Sequence, residues 1–243
     1  QAGADGSSGV GQPETENASQ RPDFYLAISE NVRERIKKYY GRDSVVIYPP
    51  VTLATSHQRS APSYTNGKTE VYLLDARGYF LCVSRLVPYK RIDIAIEAFN
   101  KLGYPLYIIG EGPLRARLEK QAKENIHFLG FQPDDAVVTW YKHAKALIMP
   151  QEEDFGLTAV ESLACGVPVL ALRRGGATEI IQEGVAGEFF NDPRPEVLAE
   201  GVFRLNKNFS QYDKTVMRNT AQKFSREQFR KSLNDLIYAT CNN

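Results

Sequence analysis

From residue 79 onward, short apolar runs alternate with amphipathic stretches along the chain. The runs 79–84 (YFLCVS), 105–109 (PLYII), 125–129 (NIHFL), 146–149 (ALIM), 168–172 (PVLAL) and 187–190 have the length and content of strands covered on both faces. Between them, 91–102, 113–123, 134–144, 157–165 and 177–182 carry apolar residues at helical spacing. In the first, Ile92, Ala95, Ile96 and Phe99 share a face and Gly103 provides the stop. Further helices are expected over 194–206, 213–223 and 225–239. Buried strands alternating with helices predict an α/β fold with a doubly wound parallel sheet, Rossmann-like, over 79–240.

The preceding residues divide into three parts. Residues 1–21 are polar and small, too poor in apolar side chains to offset their ordering entropy, and read as a disordered linker or scar. Order is expected to begin near 22–23, with a strand at Phe24–Ile28. Ser29 then caps a helix that has Glu30 and Glu34 early, Lys37 and Lys38 late, and Gly41 after it. Another strand over Ser44–Tyr48 ends at Pro49-Pro50. From residue 51 to 78 the composition is polar and turn-rich, as in a linker or long loop.

Composition narrows the function classes. Lys and Arg total 30 against 29 Asp and Glu, which gives none of the broad positive field that nucleic-acid binding requires. No apolar run approaches the roughly 18 residues of a membrane span. The opening residues lack a basic head and apolar stretch, so a cytoplasmic protein is expected; peripheral association with the inner membrane surface is compatible with this. Cys82, Cys165 and Cys241 are scattered and read as buried, reduced thiols, and no metal-ligand cluster is present.

Ligands of open parallel sheets sit beyond the carboxyl ends of the strands, so the loops there hold the candidate chemistry. In the loop after 146–149, Glu153 precedes Phe155-Gly156-Leu157-Thr158 and a helix, with Glu161 one turn in. The amides of Gly156, Leu157 and Thr158 would leave the helix end as a seat for phosphate. Glu153 and Glu161 repel phosphate, and their natural partners there are sugar and ribose hydroxyls. Two glutamates so spaced also fit a solvated acidic loop, but Ala-Cys-Gly-Val-Pro-Val closing the helix into a strand adds weight to the ligand reading. After 79–84, Ser84-Arg85-Leu86-Val87-Pro88-Tyr89-Lys90 offers a guanidinium fork and an ammonium for a departing diphosphate. Gly110-Glu111-Gly112-Pro113 and Gly175-Gly176 could cradle a ligand or serve turn geometry alone. Phe131 could stack on a base or be a partly buried loop aromatic, and His127 fits a packed strand position.

Together SRLVPYK (84–90), GEGP (110–113), FLGF (128–131), EDFGLTAVESLACGVPVLA (153–171) and GGATEII (175–181) resemble the C-terminal half of retaining GT-B glycosyltransferases of group 1. The stretch 26–51 is similar to the tail of their N-terminal domain. SRLVPYKRIDIAIEAF has wording similar to mannosyltransferases of polysaccharide assembly. The resemblance implies transfer of a hexose, mannose favoured, from a nucleotide-diphosphate sugar to a glycan or lipid-linked acceptor. A GDP-sugar donor is favoured, a UDP-sugar is the alternative, and neither cofactor nor metal is needed. It further implies catalytic roles for Arg85 and Lys90 on the pyrophosphate and for Glu153 on the sugar. The Phe155, Gly156, Leu157 and Thr158 segment would line sugar and phosphate, Glu161 the ribose, and Gly110, Glu111, Gly112 and Phe131 the base, with Ser84 beside them. With room for a single domain, an acceptor domain is expected in cis or trans, and 22–50 would be its tail. A non-catalytic nucleotide-sugar-binding subunit remains the alternative.

Overall fold

The computed structural model describes residues 21–51 and 78–241. Readings made for 1–20 and 52–77 lie outside the described residues.

Two elements groups form. The first is small: β1 (Leu26–Ala27) pairs in parallel with β2 (Val45–Val46), and α1 (Glu30–Tyr40) connects them. Ser29 caps α1 as expected, accepting from the Val32 amide, and Gly41 closes the helix in the left-handed region. The second contains β3 (Tyr79–Val83), α2 (Ile92–Leu102), β4 (Leu106–Ile109), α3 (Arg115–Gln121), β5 (Ile126–Gly130) and α4 (Asp134–His143). It continues with β6 (Ala144–Met149), α5 (Leu157–Ala164), β7 (Val169–Leu172), α6 (Ala177–Ile180), β8 (Gly187–Phe190), α7 (Pro195–Lys207), α8 (Lys214–Gln222) and α9 (Arg226–Cys241).

Strands β3 to β8 form one parallel sheet in the order β5-β4-β3-β6-β7-β8. Within β3, alternation assigns the faces: Tyr79 and Leu81 enter one core, Phe80 and Cys82 the other. Trp140 and Tyr141 of α4, Leu163 of α5 and Met217 of α8 pack on the first face. Ile96 and Phe99 of α2, Leu118 of α3 and Leu198 and Val202 of α7 pack on the second. The expected doubly wound sheet is therefore present. The differences are local: α3 starts at Arg115 rather than 113, and Pro88–Lys90 form a 3-10 turn inside the basic loop. Cys82 and Cys165 are buried, and burial pushes their thiols up to about 12 and about 11. Cys241 corrects the reading of all three as buried, because the exposed last turn of α9 leaves it open to solvent.

The strand order has one functional consequence. Chain order runs outward from β3 to β5 and then returns to place β6 on the other side of β3. The loops after β3 and β6 thus part in opposite directions, and the crevice between them is the switch point where such sheets take ligands.

Candidate functional site

Residues 84–91 and 150–156 flank that crevice. Lys90, fixed by the 3-10 turn and by its amide bond to the Val87 carbonyl, pairs with the carboxylate of Glu153, 63 residues away. The two side chains are only 15% and 21% exposed, so water screens the pair weakly. Arg85 is exposed and makes no ion pair with a described residue, leaving its guanidinium open to an anion.

Backbone contacts hold both loops. The β3 and β4 loops zip together, with the Leu86 amide donating to Glu111 O at 2.9 Å and the Leu114 amide to Leu86 O at 3.1 Å. A Cβ at Gly110, whose φ is 129°, would lie 2.0 Å from Ser84 O. Glycine at 110 is needed for this close approach. The acidic loop leans likewise on Gly175-Gly176, where the Gly176 amide donates to Glu153 O at 2.8 Å and a Cβ would meet Phe155 Cα at 2.4 Å. Both sets of glycines let one loop pack closely against another.

Helix α5 begins after Gly156 with no side-chain cap. The Leu157 and Thr158 amides have no acceptor among the described residues, as an anion seat requires. Phe155 turns its ring away from the crevice, 3% exposed and packed on Tyr48 and Phe224, so only its backbone borders the site. Leu157 is exposed, while the Thr158 hydroxyl lies 3.8 Å from Met149 Sδ. Glu161 accepts from the Tyr141 hydroxyl at 3.0 Å, and burial above all, with the Asp134 charge adding, raises its pKa against the lowering effect of that bond. Toward the outer strands, Gly112 packs against Leu86 and the Glu111 carboxylate pairs with Arg115. Phe131 is 77% exposed rather than partly buried, a free aromatic face near the Glu111 side of the crevice.

Sequence reasoning missed three contributors. Gln151 is 3% exposed, donates to Glu153 Oε1 at 2.7 Å, and leaves its own Oε1 buried without a partner. Tyr141, on α4, bonds Glu161 from another element. Glu179 accepts from the Glu30 and Asn31 amides at 2.8 and 3.0 Å and from Tyr48 at 3.1 Å, while Ser29 and Arg35 both bond Asp154. Residues 26–51 thereby grip the loop that carries Glu153. For Gln151 the sequence did offer a signal, since it sits two residues before a singled-out glutamate; Tyr141 and Glu179 offered none without the fold.

Fold and site together define a doubly wound α/β domain with a paired acid and base at its switch point, beside an uncapped helix start. A family model described as glycosyl transferases group 1 matches residues 70–224, and the chain belongs to that family. A GDP-mannose-dependent alpha-(1-6)-phosphatidylinositol dimannoside mannosyltransferase of Mycobacterium tuberculosis is 33% identical over 205 residues, covering 79% of this chain and 51% of its own. An uncharacterized glycosyltransferase of Methanocaldococcus jannaschii is 28% identical over 219 residues, 87% of this chain and 58% of that one. Among solved structures, sucrose-phosphate synthase from Thermosynechococcus elongatus shares the fold with a TM-score of 0.78 at 16% identity, over 94% of this chain and 61% of that one. The chain spans about half the length of the curated relatives it matches.

Proposed function

We propose that this chain holds the donor, GDP-mannose in preference to a UDP-sugar, for transfer of the hexose with retention to a glycan or lipid-linked acceptor. The acceptor is held by a partner domain, in cis or trans. The observation that carries this reading is the meeting of Lys90 and Glu153 at the crevice between β3 and β6, beside the uncapped start of α5. The preference for GDP-mannose is supported by the GDP-mannose dependence that the mycobacterial relative's name states.

The chemistry follows from the groups in place. An ammonium has three N–H donors, so Lys90 can keep Glu153 and still reach a phosphate oxygen. Arg85 and the first amides of α5 take further oxygens of the pyrophosphate. The bond from the anomeric carbon to the diphosphate breaks with its electron pair leaving on the phosphate oxygen. Negative charge grows there and positive charge on the sugar. Fixed donors aimed at the growing negative charge lower the barrier without having to reorganise. Glu153, held by Lys90 and Gln151 through one oxygen, keeps the other for a sugar hydroxyl.

Thermal shift with GDP-mannose, UDP-glucose and ADP-glucose tests the binding step. A donor at 100 times its Kd stabilises by about 2.7 kcal/mol, or about 5–10 °C for a chain of this size. GDP-mannose should give the largest shift, and Lys90→Ala should remove most of it. If no nucleotide sugar moves the melting temperature, the donor site is refuted. In enzyme assembled with its acceptor domain, Arg85→Ala should slow turnover by roughly a hundredfold, and an unchanged rate would remove Arg85 from the mechanism.

A further inference from the structure

Glu161 is held from behind. Tyr141 lies at the end of α4, its ring buried in the core beneath α5, and its hydroxyl donates to Glu161 Oε2. The other carboxylate oxygen, Oε1, has no hydrogen-bond partner among the described residues and is not among the buried unsatisfied atoms. One oxygen is thus tethered in the core and the other is open on the side of the α5 N-terminus, because helical side chains lean toward that end. A glutamate free to rotate would lose rotamer freedom on meeting a ligand; this one has lost part of it already.

From this geometry we infer that Tyr141 is a positioning residue for the donor nucleotide: it aims Glu161 Oε1 at the ribose hydroxyls and so makes them count toward affinity. The inference rests on the donor-site reading above and deepens it. Asp134, in the first turn of α4, is the carboxylate whose charge acts on Glu161. Against that charge Tyr141 supplies the one side-chain hydrogen bond that Glu161 makes among the described residues. Removing the phenol oxygen leaves the ring packing in place and frees the carboxylate.

The test is calorimetric titration of the chain with GDP and UDP and with their 2′,3′-dideoxy forms, which lack the groups Glu161 would meet. Wild type should bind GDP more tightly than the dideoxy form, and Glu161→Ala should abolish that difference. Tyr141→Phe should weaken GDP by about fivefold and leave dideoxy-GDP unchanged. Equal weakening of both ligands would mark Tyr141 as merely structural, and no weakening of either would also overturn the inference. Wild type binding none of the four would refute the donor site itself, whereas an undiminished preference in Glu161→Ala would refute the ribose contact. Should Tyr141→Phe not fold, a chain with 3-fluorotyrosine placed at 141 answers the same question by fluorine NMR. Its resonance should move further on GDP than on dideoxy-GDP, and equal movement would overturn the inference.

Discussion

A carboxylate kept partly dry resists ionising, and Glu161 is raised for that reason first. Raised in the native state, it ionises more readily in the unfolded chain. The native state therefore loses stability as pH climbs from the unfolded value through the folded one, and the cost is complete above the folded pKa. Glu161→Gln removes this cost while keeping an oxygen for Tyr141. The variant should melt higher than wild type at pH 7 and above, with the gap closing as the pH falls toward 4, as scanning calorimetry at stepped pH would show. The same substitution should weaken nucleotide binding at neutral pH, since an amide is a poorer acceptor than a carboxylate. A variant that melts lower at every pH would mean that the carboxylate contributes stability. Neither the burial of Glu161 nor its tether could be read from sequence, because the phenol responsible lies 20 residues away on another helix.

At the scale of elements, the loops of the site are positioned by contacts between backbones. Gly110 is the sharpest case, with left-side φ and a carbonyl where a side chain would go. Gly110→Ala must push β4's loop from Ser84 and adopt a strained φ; a cost on the order of 3 kcal/mol is expected, or about 6–12 °C in melting temperature. A loss under 1 °C would show that the two loops are not locked. The sequence marked this glycine, yet it left both a ligand cradle and turn geometry open. Its close approach to Ser84 depended on what lies across the gap, which is a property of the sheet. The helix and strand segments themselves were legible to within a residue or two over most of 79–240, because burial on both faces writes unbroken apolar runs and amphipathic intervals. The 3-10 turn at Pro88–Lys90 was not, since one turn leaves no period to read.

Across the molecule, Glu179 of α6 caps α1 through two amides, and Ser29 and Arg35 reach Asp154, next to Glu153. Tyr48, pushed up to about 12 mainly by burial and further by Glu179, closes the same contact. The segment 26–51 is thus joined to the loop that carries Glu153 through Asp154 and to α6 through Glu179, and Glu179→Ala would cut the second link. Loss of a helix cap costs about 1 kcal/mol, so α1 amides should exchange about fivefold faster while those of β3 and β6 stay protected. Unchanged exchange in α1 would show that Glu179 does not anchor it. The coupling places the segment 26–51 in mechanical contact with the loop that carries Glu153.

The sequence by itself determined the elements, their alternation and the loops in which chemistry had to lie. It did so because burial imposes a period on each strand and helix, and parallel order confines ligands to one end of the sheet. Only the tertiary structure decided that Lys90 meets Glu153, that Phe155 turns inward while Phe131 stands free, and that Tyr141 and Glu179 hold the site from behind. Those are distances between segments far apart in the chain, and no local pattern encodes them until the strand order β5-β4-β3-β6-β7-β8 brings the segments together.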